Sequence, residues 1–419
     1  MYTSVWPYSD GRSWTARYEL DAGSLKNEVG QKKADGLRLV SLGGFSLGHG
    51  THAVQRFCPI WEKREAGTVI PTAVTHFMKY HDIPGMSLAI SKDEKLVYAG
   101  GFGWADKEHT RHVTTASLFR IASVSKPITA VAIMKLCTEG HLAPQNLVFG
   151  NNGILKELGT PGDPRIKKII VQNLLQHSSG GWRNDAHDPM YTNPNLDQHK
   201  LIEWVLANRP LDYPPGVKYL YSNFGYCVLG RVIEKVTGKT YANYVKDKIL
   251  APCGISDMSI AGNTAADRLP DEVAYYDQNG KDPYGIQVSR MDAHGGWLAT
   301  PVDLIDFAVR VDGFPKKDDL LPADWISYMT EPSGLYDDST PPVPGNYASG
   351  WNVNGSTWWH FGSLEGTTSM LARTGDGFCW AAVMNTRFSE PATMNPKDKD
   401  TAAGLENLMW EIHDQVDHF

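Results

Sequence analysis

The sequence has little cysteine. The five present (Cys58, Cys137, Cys227, Cys253 and Cys379) are scattered and form no Cys-x-x-Cys pair, so neither a zinc site nor a disulfide framework is suggested. Cys137 and Cys227 fall in apolar helical stretches, where a buried free thiol is the ordinary state. None of the 14 histidines stands in His-Glu-x-x-His spacing. The pairs His76/His81 and His109/His112 read as surface or core residues, so no metal or cofactor is implied. Basic charge is not in excess: 40 Lys and Arg against 47 Asp and Glu give a net charge of −7, which argues against a nucleic-acid partner. No apolar run approaches the roughly 20 residues a membrane span needs, so no membrane partner is expected either. The first residues, Met1-Tyr2-Thr3-Ser4-Val5-Trp6-Pro7-Tyr8, lack the basic and apolar regions of a secretory signal. The chain as given reads as cytoplasmic, with a mature secreted form left open.

What is present fits a globular protein with a large core. The 419 residues are 42% hydrophobic and 21% charged, enough for more than one folded unit. Residues 1–65 have their own logic: a polar, Lys-rich helix through Ser24–Val29, a strand Leu37–Leu42, a Gly/His-rich turn over 43–52, and a second strand with Phe57-Cys58-Pro59-Ile60-Trp61. From residue 66 the texture changes. An amphipathic helix over 70–81 precedes strands at 86–90 and 95–100, joined by the charged turn Lys92-Asp93-Glu94. Residues 140–295 read as a mostly helical lobe with Pro/Gly/Asn-rich loops. Strand patterns return at 350–353, 357–360, 368–372 and 379–384, before a closing helix over 401–414. The expected fold is therefore α/β in two lobes: an antiparallel sheet flanked by helices, a helical lobe inserted between its strands, and the small N-terminal helix–hairpin unit.

Chemistry concentrates at Ser123-Val124-Ser125-Lys126, the sole Ser-x-x-Lys in the chain. Residues three apart share a helix face, and Pro127 suits a helix's first turn, where N–H groups lack intrahelical partners anyway. A hydroxyl beside an amine there is a candidate activated nucleophile. Such a nucleophile needs a polar proton relay and donors for an oxyanion. Three Tyr-x-Asn sequences compete for the relay. Tyr191-Thr192-Asn193 lies in an Asn/Pro-rich loop and Tyr241-Ala242-Asn243 inside a helix. Tyr221-Ser222-Asn223 sits in a short loop between Pro214-Pro215-Gly216 and an apolar helix, and is preferred. A Lys-Thr-Gly partner is missing. Arg373-Thr374-Gly375 reads as part of a hairpin turn and His294-Gly295-Gly296 as a glycine-rich connection. His360-Phe361-Gly362-Ser363 follows a strand, and its glycine would let a ligand approach the backbone. His360, Gly362 and Ser363 are therefore taken as substrate-binding.

These motifs, in this order, resemble the serine β-lactamase and penicillin-recognising family, in its class C-like branch of β-lactamases, D-aminopeptidases and carboxylesterases. The likeness runs over about 68 to 390. It includes Phe119–Lys126, Leu174-Leu175-Gln176-His177-Ser178-Ser179-Gly180, Tyr221–Asn223, Gly295–Thr300 and His360–Gly366. The resemblance implies Ser123 as acylated nucleophile, Lys126 as its base, Tyr221 as proton relay and Asn223 as the residue orienting substrate and lysine. It also implies an oxyanion hole from the Ser123 and Ser363 N–H groups. Histidine in place of the usual lysine at 360 points away from carboxylate-bearing substrates such as penicillins. Aromatic neighbours (Trp182, Tyr221, Trp358, Trp359) suit a flat or apolar acyl group, or form core. More loosely, Leu37-Arg38-Leu39-Val40, Gly43-Gly44-Phe45, Arg56-Phe57 and Ile60-Trp61-Glu62-Lys63 resemble the helix-plus-hairpin repeat preceding the catalytic domain of polyglycine hydrolases. One copy is present.

The expected function is a serine hydrolase acting through an acyl-enzyme at Ser123 on an ester, small amide or short peptide. Alternatives are a peptidase or amidase for glycine-rich or D-residue peptides, an acyltransferase using the same residues, and a catalytically silent binding module. Oligomeric state is not readable.

Overall fold

Strands that lie in the middle of a covered sheet are buried on both faces rather than on alternate residues, and three segments here show that. Thr367–Arg373 and Phe378–Met384 are buried at every position, and Gly85–Lys92 is buried at all but its last. The computed structural model describes residues 13–35, 37–48, 53–63, 66–387 and 401–416. Its packing groups the chain into two units, 1–80 with 406–419, and 81–405.

In the first unit, β1 (Ser13–Ala16), β2 (Arg38–Leu47) and β3 (Val54–Lys63) form an antiparallel sheet in the order β1-β3-β2. The helix Ala22–Ala34 is capped by Asp21, whose carboxylate accepts from Ser24 N at 2.7 Å. The expected turn over 43–52 is corrected in part. β2 runs through both glycines to Leu47, pairing Gly43 with Cys58 and Phe45 with Arg56, while residues 49–52 lie outside those described. The reason is side-chain space: the Phe57 ring lies over Gly44, 3.6 Å from where a Cβ would stand, so glycine here marks close cross-strand approach rather than a turn. The helix Ala66–Tyr80 also belongs to this unit.

The second unit is built on a six-stranded antiparallel sheet. It contains β4 (Gly85–Lys92), β5 (Lys95–Gly103), β10 (Asn352–Asn354), β11 (Thr357–Leu364), β12 (Thr367–Arg373) and β13 (Phe378–Met384), in the order β10-β11-β12-β13-β4-β5. Asp93 and Glu94 take φ of 51° and 64° in the β4–β5 turn, the left-handed pair that a tight hairpin demands. A smaller sheet joins β6 (Phe119–Arg120), β7 (Ser259–Ile260) and β9 (Trp297–Ala299), and β8 (Tyr276–Asp277) pairs with β14 (Thr386–Arg387). The helix Pro301–Ala308, with Thr300 and Asp303 forming a capping box, packs on β4, β12 and β13.

The segment between the sheet's two halves is more irregular than its sequence suggests. Over 140–295, long helices occur at Gln198–Asn208 and Asn223–Thr237, with short turns of helix elsewhere. Proline, glycine and asparagine break the remainder, and side chains such as Asp163 and Arg165 tie its loops. The helix Ser125–Thr138 is buried on almost every side, as expected when apolar residues occupy all its faces. It packs against Asn223–Thr237, Tyr241–Val245 and Ala323–Met329 inside one continuous hydrophobic core. Among the described residues no helix is long and apolar enough to cross a membrane.

Candidate active site

Ser123 sits in a single 3-10 turn, Ala122–Val124, that opens the buried helix. The preceding residue, Ala122, takes φ +47°, a conformation costing a non-glycine residue about 1 kcal/mol or more. Several bonds hold it there. Ile121 N donates to Trp297 O at 3.0 Å, Ser369 Oγ to Ile121 O at 2.7 Å, and Thr367 Oγ1 to Arg120 O at 2.8 Å. Strand β9 and strand β12 therefore clamp the two residues ahead of the turn.

Lys126, one turn on, is wholly buried. Its Nζ lies 3.0 Å from Ser123 Oγ, 2.8 Å from Asn223 Oδ1 and 3.1 Å from the His294 carbonyl oxygen. Burial drives its pKa well below the usual lysine value, and the Asp188 carboxylate pulls weakly the other way. The amine therefore favours its neutral form far more than an exposed lysine does.

Tyr221 and Asn223 flank Ser222, the N-cap of the helix Asn223–Thr237. Ser222 Oγ accepts from Gly225 N at 3.1 Å and donates to Trp182 O at 2.6 Å. Ser222 N in turn donates to His177 Nδ1 at 3.1 Å, and Leu220 N to His177 O at 2.7 Å. Asn184 N donates to the Tyr221 carbonyl at 2.8 Å. His177 and Trp182 both have positive φ, 54° and 61°, so the loop that grips Tyr221 is itself held in strained turns. The Tyr221 phenol shares a hydrogen bond with the Ser123 side chain, and burial raises its pKa well above the usual tyrosine value. It carries its proton at neutral pH.

Three of the expected substrate-binding residues are placed less simply. His360 lies beside Tyr221, ring centroids 6.3 Å apart, but is only 3% exposed. Its Nδ1 is 2.6 Å from Phe361 O, an acceptor, so Nδ1–H donates there and Nε2 accepts from Tyr347 Oη at 3.0 Å. Burial, with help from the Lys126 charge, lowers its pKa to about 3. At neutral pH the ring is uncharged, and both its nitrogens are engaged within the protein. Gly362 also differs from expectation. A Cβ there would stand 2.2 Å from Ile121 O and 2.2 Å from Ser369 Oγ, so what approaches closely is the segment leading into the Ser123 turn. Ser363 is exposed, on the stretch of β11 beyond the three residues that pair with β10. This strand packs on the Ser123 turn.

The other motifs lie elsewhere. Tyr241 Oη bonds Thr129 Oγ1 at 2.6 Å and Trp297 Nε1 at 3.1 Å within the core. The Asn193 carbonyl accepts from Arg290 at 2.5 Å. Residues 374–377 connect β12 to β13. Trp182 packs edge-on against Phe149 and Phe224, and Trp358 lies under the Arg373 guanidinium; both are core. The aromatic rings around the site are instead His177, Tyr219, Tyr226 and Tyr347. Among the described residues no group of three or more His, Cys, Asp or Glu side chains could hold a metal ion.

Sequence reasoning missed Asp188, whose Oδ2 accepts from Asn223 Nδ2 at 2.9 Å. Its visible signal, Asp before Pro189, is that of a helix cap, and its Oδ1 does cap the turn Pro189–Thr192 through Met190 N at 2.8 Å. The His294 carbonyl had no signal at all, because any residue supplies one.

Comparison with known proteins bears on this geometry. The β-lactamase family model matches residues 70–403, and a model described as a polyglycine hydrolase-like structural repeat matches residues 11–64. Protein flp of Staphylococcus aureus (strain MRSA252) is 25% identical over 308 residues, 72% of this chain and 59% of that protein. Penicillin-binding protein 4* of Bacillus subtilis (strain 168) is 30% identical over 207 residues, 46% of this chain and 42% of that protein. The chain thus spans about half the length of these curated relatives. The D-amino acid amidase of Ochrobactrum anthropi SV3 superposes with a TM-score of 0.66 at 21% identity, over 83% of this chain and 98% of that one, a likeness of fold. The match over 70–403 covers most of the sequence, and the chain belongs to the β-lactamase-like family of serine hydrolases.

Proposed function

We propose that this protein is a serine acyl hydrolase that forms an acyl-enzyme at Ser123 on esters or small amides lacking an anchoring carboxylate. One observation carries the reading: the hydrogen-bond polarity around Lys126. The His294 carbonyl can only accept, and Asn223 presents its Oδ1. Two acceptors occupy the two N–H groups of a neutral amine. The remaining lone pair then points to Ser123 Oγ, 3.0 Å away, within reach for a general base.

In this mechanism Lys126 takes the Ser123 proton as Oγ bonds to the substrate carbonyl carbon. The carbonyl oxygen gains the electron pair and is received by the N–H groups of Ser123 and Ser363. As the tetrahedral adduct collapses, the bond to the leaving group breaks and Tyr221 delivers a proton to it; the phenolate is then reprotonated by Lys126, which returns to its neutral form. Water repeats the sequence on the acyl-enzyme and releases the acid. Removing one oxyanion donor typically costs about 100-fold or more in such chemistry. His360, neutral with both nitrogens engaged, supplies no cation for a substrate carboxylate, which favours uncharged acyl groups over penicillin-like substrates.

A fluorophosphonate probe should label Ser123, read by mass spectrometry of the modified peptide, and Ser123→Ala should lose both labelling and turnover of p-nitrophenyl esters. Near-wild-type turnover in that variant would refute the assignment. Run beside nitrocefin, the uncharged esters are expected to be the better substrates. A second reading, amidase or peptidase action on glycine-rich or D-residue peptides, draws support from the repeat match over 11–64. Cleavage of oligoglycine or D-aminoacyl amides without ester cleavage would favour it.

A further inference from the structure

Resting on the reading of Ser123 and Lys126 above, we propose that Asp188 is a positioning residue that fixes the direction of the Asn223 amide and so leaves the Lys126 lone pair free for Ser123.

An asparagine amide can present either its oxygen or its nitrogen to a neighbour, and the two faces have opposite meanings for a lysine base. With Oδ1 toward Lys126, the amide accepts an N–H and the lone pair is left for the serine proton. With Nδ2 toward Lys126, the amide donates into that lone pair and the base is quenched. What decides between them is the group on the amide's far side. Asp188 is fully buried, and its Oδ2 stands 2.9 Å from Asn223 Nδ2. A carboxylate can only accept, so it selects the productive face. A flipped amide would set oxygen against oxygen with no water to relieve it.

The carboxylate is itself held without freedom to turn. Its Oδ1 accepts from Met190 N at 2.8 Å, and Asp188 N donates to Asp185 O at 3.0 Å. The next residues are anchored by Arg290, whose guanidinium donates to the carbonyls of Met190, Asn193 and Leu196. The charged and titratable groups acting on Asp188 are Lys126 from the nucleophile helix and Asp185 from its own loop. Arg290, Tyr191 and Cys227 complete that set. Around Lys126 stand Tyr221, Tyr226, His177, His294 and His360. Burial raises Asp188 to about 6, with Asn223 and Lys126 drawing it back down, so it is ionised at neutral pH and its charge favours protonated Lys126. Removing that charge moves the Lys126 titration to lower pH.

Two variants separate this role from plain helix capping. Asp188→Asn keeps the shape but places an NH2 against one of its two donors. Asp188→Ser keeps a capping oxygen and removes both the charge and the reach to Asn223. Both should lower kcat/KM for a p-nitrophenyl ester by roughly tenfold or more, the loss expected when a buried donor goes unpaired, and should move the acid limb of the pH profile to lower pH. Independently of turnover, the 13Cε resonance of labelled Lys126 in the full chain should titrate at lower pH in both variants. An unshifted Lys126 titration in a folded Asp188→Asn protein overturns the proposal whether or not any ester is cleaved. Wild-type kinetics in Asp188→Ser does the same and leaves Asp188 a cap. Failure of the wild type to label at Ser123 would instead count against the hydrolase reading itself.

Discussion

Gly362→Ala is the smallest change that tests how the Ser123 turn is held. The added methyl carbon would stand 2.2 Å from Ile121 O, 2.2 Å from Ser369 Oγ and 3.2 Å from Ala122 Cβ. Ordinary contacts are longer by roughly 1 Å, so either β11 or the 121–122 segment must move by about that distance. Ser369 can relieve one clash by rotating its hydroxyl, but it then forfeits its 2.7 Å bond to Ile121 O, in a buried setting where a lost partner costs about 1–3 kcal/mol. Overpacking adds about 1–3 kcal/mol. The sum, about 2–6 kcal/mol, corresponds to a Tm lowered by about 4–12 °C at roughly 2 °C per kcal/mol. Catalysis should suffer separately. Displacing Ser123 by about 1 Å relative to Lys126 is expected to cost about 100-fold in kcat. Thermal unfolding and p-nitrophenyl ester kinetics on the purified variant measure both. A Gly362→Ala protein with wild-type Tm and wild-type kcat would refute the claim that this glycine exists to admit the segment leading into the Ser123 turn.

Two further outcomes follow from buried groups. His360 has its pKa lowered to about 3 when folded against about 6.5 unfolded, so the unfolded chain binds the extra proton between those values. Stability from this residue is complete above the unfolded value and is lost as pH falls toward the folded one. His360→Gln should therefore be less stable than wild type at pH 7, with the gap narrowing by about 2–3 kcal/mol by pH 4.5, as read by urea unfolding; a constant gap would mean that His360 takes up a proton as readily in the fold as in the unfolded chain. Arg290→Met should cost about 3 kcal/mol or more by stranding the Met190, Asn193 and Leu196 carbonyls, and amide exchange over 190–196 should quicken. Unchanged exchange there would show the segment to be held by other contacts.

The residues that carry a periodic or local signal were legible. The central strand Phe378–Met384 shows as an apolar run, the helix Ser125–Thr138 as Pro127 followed by apolar residues to Gly140, and Tyr221–Asn223 as a polar triplet before an apolar helix. What sequence could not supply was direction and occupancy. Nothing in His360-Phe361-Gly362 says that the imidazole turns inward to Tyr347, or that the space beside the glycine is filled by Ile121 from far along the chain. The first is a contact across 13 residues and the second a packing of segments more than 200 residues apart, and no local pattern encodes either. Asp188 fails differently. Its one visible role, capping a four-residue turn, is real, and a carboxylate has a second oxygen whose partner only the fold reveals.

The strained turns point to how these pieces act together. Ala122, His177 and Trp182 all take left-handed backbone, each a cost of about 1–3 kcal/mol that surrounding structure must offset. None is glycine, although glycine would relieve the strain locally. In each case the flanking groups are tied to a different part of the unit: 120 and 121 to β9 and β12, His177 to 220 and 222, Trp182 to Ser222. The first clamp sets Ser123 and the other two set Tyr221, the two groups that share a proton in the proposed mechanism. A side chain at these positions narrows the unfolded chain's freedom and removes the alternative turns a glycine would permit. The unit thereby spends stability on a fixed distance between two hydroxyls, which is the quantity that the proposed proton transfer between them would demand.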